Sequence, residues 1–351
     1  MKYYFAPMEG ITLYPLRNVH KEVFGAGVDK YYTPFLTAAH TFHFKNREKK
    51  DVLPEKQTAF GEDFGSCIEP QIMAGNAENF LWAAREMRKL GYQGVNLNLG
   101  CPAPTVVNRY KGSGLLQEPE YLDKMLAEMF EAVSQNEIVG GKPFNKKRDE
   151  EDLQASDGSL VYPEISLKTR LGFSDPAEAT ELMKVYARYP LKELTIHARV
   201  REDYYGGQAR IEDFKRAVEV YRESGGKAEI IYNGDVNSVE ENSRIISECP
   251  EISGVMIGRG LLSNPALVRE LKGGEKLKPQ ELKTYLRKLY DAYSEYIPED
   301  RNVIFKMLEH WAFLHDHFKG CDKQLKTIRK SRSKGEYNAA VNDIFAKCDF
   351  V

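Results

Sequence analysis

The 351-residue chain predicts an α/β fold: a (β/α)8 TIM barrel followed by a small all-α helical bundle domain. Three observations carry this expectation. Eight short β-rich runs recur through residues 1–265, most of them separated by amphipathic helical patterns. Repeated βα units imply a parallel sheet, and eight of them in about 260 residues fit a closed barrel. Beyond residue 279 the strand pattern stops, and apolar residues recur only at helical spacings of three and four. An open doubly wound sheet satisfies the periodicity as well. The expected organisation is a barrel at 1–265 with a polar insertion at 136–161, a linker at 266–278 and a helical domain at 279–351.

The expected strands, in order, are Tyr3–Pro7, Tyr31–Phe35, Glu69–Met73, Gly94–Asn98, Glu164–Lys168, Glu193–His197, Glu229–Asn233 and Gly254–Ile257. Helical patterns occupy 76–91, 119–135, 175–189, 211–225 and 238–249. Their Pro, Asp or Ser openings and Gly endings are helix start and stop signals. Residues 136–161 break the rhythm, being polar, charged and long where a short helix-to-strand connection is normal. They read as an exposed insertion on the barrel face away from chemistry. The linker ends in the Gly/Lys/Pro-rich GGEKLKP at 273–279. In the tail, Leu282, Leu286, Leu289, Tyr293 and Tyr296 mark one amphipathic helix. Ile304, Met307, Leu308, Trp311, Leu314 and Phe318 mark a second, and shorter pieces follow at 325–328 and 341–345.

Composition excludes several classes. At 42% hydrophobic and 29% charged residues the chain is too apolar and too balanced for a disordered one. No apolar run approaches the ~18 residues of a membrane span. The opening MKYYFAPMEG lacks a basic stretch followed by an apolar one, so no signal peptide is expected. Five scattered cysteines without a CxxC pair argue against a disulfide framework or a metal site and point to the cytoplasm. A monomer is expected.

The net charge of −2 argues against a nucleic-acid partner only until it is divided. Residues 276–351 hold fifteen Lys/Arg against eleven Asp/Glu, which leaves the first 275 residues at −6. Within 319–334, seven basic residues face Asp322 alone. Such a run is either a solvated helix face or a phosphate-backbone footprint.

Function in a barrel gathers at the C-terminal ends of the strands. Those ends are polar here: Gln71, Asn96 and Asn98 with Gly100-Cys101-Pro102, Lys168 with Arg170, His197 with Arg199, Asn233-Gly234-Asp235, and Gly258-Arg259. Any one of them alone is more often structural; their recurrence at successive strand ends is not easily structural. Cys101 lies on a Gly/basic loop, where a thiol can exchange a proton with a substrate carbon. The glycines of the last two strand ends suit an anion site.

APMEG at 6–10, QIMAG at 71–75, NLNLGCPAPTVVNRYKGSGLL at 96–116, LKTRLG at 167–172, TIHAR at 195–199, NGDV at 233–236 and MIGRGLLSNP at 256–265 together resemble the tRNA-dihydrouridine synthase family. The resemblance implies a flavin enzyme that reduces the C5–C6 bond of a uridine in tRNA. It implies FMN over the strand ends, with Ala6, Pro7 and Met8 lining the ring and Gln71, Lys168 and His197 on its polar edge. Asn233, Gly234, Asp235, Gly258 and Arg259 would take the ribityl phosphate. Hydride would pass from flavin N5 to C6, a proton from Cys101 to C5, and NADPH would restore the flavin. Asn98 is expected on the uracil edge, Arg199 on the tRNA backbone or orienting the base, and Lys326, Arg329 and Lys330 on the tRNA backbone. Two other readings stay open: an FMN barrel acting on a free pyrimidine or enone, and an inert barrel whose tail docks RNA.

Overall fold

The computed structural model describes residues 1–140 and 161–351. Ten parallel strand segments form one sheet: β1 (Lys2–Phe5), β2 (Lys30–Tyr32), β3 (Leu36–Thr37), β4 (Ile68–Glu69), β5 (Gln71–Met73), β6 (Gly94–Asn98), β7 (Glu164–Gly172), β8 (Glu193–Val200), β9 (Glu229–Asn233) and β10 (Gly254–Ile257). All eight expected strands are present, but the second stops at Tyr32 with β3 lying just beyond its expected end, and the third is divided. Pro70 has no N–H to give to a ladder, so the third expected strand splits around it. Its halves pair separately, β4 with β2 and β5 with β3. With β1 paired to both β10 and β2, and β5 to β6, the sheet closes on itself as a barrel. β7 and β8 run past their expected ends, which brings Arg170 and Arg199 into the strands.

The expected barrel helices appear as Ala77–Lys89, Pro119–Gln135, Ala179–Tyr186, Ile211–Glu223 and Val239–Glu248. Asn76 and Ser238 cap two of them by accepting from Asn79 N and Glu241 N, which satisfies amides that a helix start leaves bare. The insertion expected at 136–161 lies largely outside the described residues. Its near flank is anchored: Arg85 donates to the carbonyl of Gly140 at 3.0 Å, and the Tyr162 hydroxyl to that of Glu137 at 2.8 Å.

Alternation along each strand divides the side chains in two. Tyr3, Phe5 and Tyr31 face the helices, while Tyr4, Ala6, Tyr32, Ile231 and Met256 form a separate cluster in the lumen. The floor of the lumen is charged. Lys30 Nζ lies 2.5 Å from Glu69 Oε2 and 2.9 Å from Glu193 Oε2. The Tyr4 hydroxyl donates to Glu193 at 2.6 Å, and the Ser166 hydroxyl donates to Glu69. Burial pushes both carboxyls up. At Glu193 the Lys30 ammonium and the two tyrosine hydroxyls outweigh it and hold the carboxylate ionised.

Helices Pro279–Tyr296, Asp300–Leu314, Asp322–Lys330 and Lys334–Lys347 form the tail bundle. The expected linker at 266–278 is corrected to a packed strap. It contains the helix Leu267–Leu271, buries Leu267 and Val268, and pairs Arg269 with Glu281 through two bonds of 2.7 and 2.8 Å. Apolar residues here have no reason to stay in water when the barrel wall is adjacent. The bundle therefore shares the barrel's core, with Tyr285 against Phe24 and Tyr296 against Tyr14. Tyr293 and Lys306 donate to the carbonyls of Ile11 and Gly10, which fixes the bundle beside the loop leaving β1. Among the described residues no helix is long and apolar enough to cross a membrane.

Replacing Lys30 by Met would leave two buried carboxylates without their cation. Breaking a buried pair this way costs ~3–5 kcal/mol. Urea unfolding of the variant at neutral pH should register that loss; a change within error would mean the floor cluster contributes nothing.

Candidate active site

An open cleft lies at the C-terminal end of the strands, where small-molecule sites gather in this architecture. Ala6, Pro7 and Met8 after β1, Gln71 at the start of β5, and Asn98 and Cys101 after β6 line it. Lys168 of β7, His197 of β8, Asn233 and Gly234 after β9, and Gly258 and Arg259 after β10 complete the ring. Strand closure thus brings together most of the residues singled out from the sequence. Glu9, Phe35, Arg170 and Tyr205 also line it. Arg170 was legible by alternation, two residues from Lys168 on the same strand face. Tyr205 had no such signal, because the loop after β8 carries no periodicity.

Cys101 sits on a built turn. Asn98 Oδ1 accepts from the amides of Gly100 at 3.0 Å and Cys101 at 2.9 Å, while its amide nitrogen donates to Gln71 at 2.6 Å. Asn98 thus shapes the turn and at the same time lines the cavity. The Cys101 carbonyl accepts from the Ser113 amide and hydroxyl. Gly112 adopts φ +55° against it, where a Cβ would sit 3.0 Å from that carbonyl oxygen, so a side chain there would force the loop open. Lys111 donates to the carbonyl of Ala38 at 2.8 Å and pins the far side of the loop. Burial pushes the Cys101 thiol up, only partly offset by the Ala103 amide and the Arg170 and Lys168 charges. At neutral pH it carries its proton.

Charge in the cavity is mostly positive, with Lys168, Arg170 and Arg259 facing Glu9. Arg170 is held by the carbonyls of Gly100 and Val200 at 2.7 and 2.9 Å. Lys168 has no hydrogen-bond or ion-pair partner among the described residues. Burial, with Arg170 nearby, brings its ammonium down to about 7. A buried amine without a counter-charge is a site for an anion or an electron-rich ring edge. His197 is held well below its usual range by burial and by Arg170, Lys168, Arg199 and Arg259, so it is neutral. Arg199 lies 3.4 Å from its Nε2 and can only donate, which leaves the ring proton on Nδ1.

Two expected ligands act through others. Arg199 is almost fully buried. It bonds Asp235 at 2.5 Å and the carbonyls of Gly206 and Gly207 at 2.9 and 2.6 Å. Its expected place on the tRNA backbone is thereby corrected to a brace under the loop after β8. Asp235 does not line the cavity; it also bonds Arg259 at 2.8 Å. A carboxylate there would repel a phosphate, so its work is to aim Arg259. Gly258 leaves open the floor between them, since a Cβ there would meet Ala6 Cβ and Met8 Sδ at 3.5 Å. Lys326, Arg329 and Lys330 lie apart, exposed on the helix Asp322–Lys330 and without ion-pair partners among the described residues.

A barrel with a cationic strand-end cavity and a protonated thiol beside it can hold an anionic ligand and offer it a proton. The family model described as dihydrouridine synthase matches residues 4–147 and 159–348, and the chain belongs to that family. It is accordingly a flavin-dependent oxidoreductase acting on CH–CH groups. It is 27% identical over 343 residues to the probable tRNA-dihydrouridine synthase 2 of Bacillus subtilis (strain 168), covering 97% of this chain and 93% of that one. It is 28% identical over 280 residues to the tRNA-dihydrouridine(16) synthase of Neisseria meningitidis, covering 78% and 72%. Among solved structures, a 2-naphthoyl-CoA reductase superposes with TM-score 0.50 at 13% identity, over 78% of this chain and 50% of that one; the likeness is one of fold.

Lys168 titrates near 7 when folded against an ordinary 10.5. Between these values the folded state binds fewer protons, so the residue makes stability rise with pH across that window. Flavin-free protein should therefore gain stability from pH 7 to 10, and the Lys168→Met variant should lose that slope. Identical pH slopes in thermal melts of the two proteins would refute the unpaired ammonium.

Proposed function

We propose that the protein reduces the C5–C6 bond of a uridine in tRNA, using FMN as its flavin and NADPH as reductant. The observation that carries this reading is the protonated Cys101 thiol sharing one cavity with the unpartnered Lys168 ammonium. The exposed cations of Asp322–Lys330, without ion-pair partners among the described residues, support a phosphate-rich substrate.

Ala6, Pro7 and Met8 would line the isoalloxazine, with Gln71, Lys168 and the Nδ1–H of His197 on its polar edge. Asn233, Gly234, Gly258 and Arg259 would hold the ribityl phosphate, with Asp235 aiming Arg259. Bound FMN supplies the hydride for C6 and accepts one in turn from NADPH. The other half of the addition belongs to this chain. Cys101 gives its proton to C5, and hydride plus proton saturate the double bond. The thiolate left behind faces Arg170 and Lys168, whose charges favour it until it is reprotonated. A base inside a folded RNA must leave its stack to reach the cavity.

Dihydrouridine measured in tRNA after incubation with NADPH tests the reaction. Turnover of free uracil or a small enone, with none on tRNA, would assign the cavity to a small substrate instead. Cys101→Ala should leave the flavin reducible by NADPH and slow tRNA reduction by about 10²–10⁴-fold, the usual weight of a positioned acid. Normal turnover of that variant would remove Cys101 from the reaction. Lys326→Glu with Arg329→Glu should weaken tRNA binding and flatten its salt dependence by about two phosphate contacts. A wild-type slope would make the helix a solvated face.

A further inference from the structure

One exposed aromatic on the bundle has no part in the chemistry above. Phe305, in the helix Asp300–Leu314, is 49% exposed. A single exposed Phe is ordinary on a protein surface. This one is backed by a fixed cation. The Arg301 guanidinium, one turn earlier, lies 4.3 Å from the ring centroid. The same group donates to the carbonyls of Arg329 and Ser331, which ties it to the end of the basic helix. On the other side Lys306 donates to the carbonyl of Gly10, next to Glu9 of the cavity wall. Phe305 thus sits on a helix that touches both the loop leaving β1 and the end of the basic helix.

We propose that Arg301 and Phe305 form a stacking platform for an unpaired base of the RNA substrate, placed between the phosphate-binding helix and the cavity. The proposal rests on the tRNA reading above and deepens it. Charge selects the occupant: the flanking Arg329 and Lys330 are exposed and suit a polyanion. Among polyanions, only one with unpaired bases offers a π-face for Phe305. The guanidinium behind the ring adds a cation to the same stack. Two bonds from its Nη1 to carbonyls hold it in place before a base arrives.

The test uses flavin-loaded protein and two labelled probes: an unmodified tRNA transcript, and a blunt RNA duplex of equal length with no unpaired base. Phe305→Ala should weaken tRNA binding roughly 5- to 100-fold, the range for loss of one stacked base. Its salt slope should stay that of wild type, and duplex binding should not change. Phe305→Leu should match the Ala variant, and Phe305→Trp should bind at least as tightly as wild type. Unaltered melting temperature and flavin content would exclude misfolding as the cause. Wild-type tRNA affinity in both the Ala and Leu variants would overturn the platform while leaving the tRNA reading intact. An equal loss on the duplex would also overturn it. Wild-type protein that neither binds nor modifies tRNA would instead refute the proposed function, and the platform with it.

Discussion

Charge inside the barrel lumen must be compensated, and this chain does so at one end and not at the other. At the floor, Lys30 is met by Glu69 and Glu193, whose remaining lone pairs are taken by Ser166, Tyr4 and Tyr32. A low-dielectric interior tolerates such a group only when every member has a partner. At the mouth, Lys168 has none among the described residues. The two lysines stand in the same lumen with opposite protonation tendencies, Lys30 held charged and Lys168 eased toward neutrality. The floor is finished by the protein's own groups, whereas the mouth holds a buried amine with no such partner among the described residues.

That contrast organises the rest of the site. Around Lys168 the chain spends its own polar groups on one another so that few point freely inward. Asn98 holds the Cys101 turn, Arg170 holds the carbonyls beside it, and Asp235 fixes both Arg199 and Arg259. Positioning groups that are themselves hydrogen-bonded need not reorganise during reaction, which is where electrostatic catalysis gains most. Cys101, kept protonated by burial, is the group that would give up its proton in the proposed reaction. The bundle, sharing the barrel's core and bonded to the carbonyls of Gly10 and Ile11, holds its basic helix in a set relation to that proton.

The barrel was largely legible from the sequence because its signals are local. Strand alternation, helix spacing and the polar strand ends each depend on residues a few positions apart. Cys101, Lys168, His197 and Arg259 were legible for the same reason: each lies at or just past the end of a β-rich run. The departures have equally local or equally distant causes. Pro70 split a strand for want of an N–H. Arg199, read as a substrate ligand, was claimed by the chain itself once its partners, Asp235 and two loop carbonyls, came within reach. The strap at 266–278, polar enough at its end to read as a linker, packed because Leu267 and Val268 found the barrel wall.

The sequence by itself determined which residues face the lumen and in what order they reach its mouth, since a period of two is written along each strand. It also determined the charge imbalance between barrel and tail, which is simple composition. Only the tertiary structure decided which of the inward groups are already spent. Whether Lys30 or Lys168 is paired, whether Arg199 or Arg259 can meet a ligand, and whether Phe305 stands beside Arg301 and the basic helix or alone are matters of contact across the fold. Hydrogen bonds and ion pairs act over a few ångströms, and no spacing along the chain states which distant residues will close to that range.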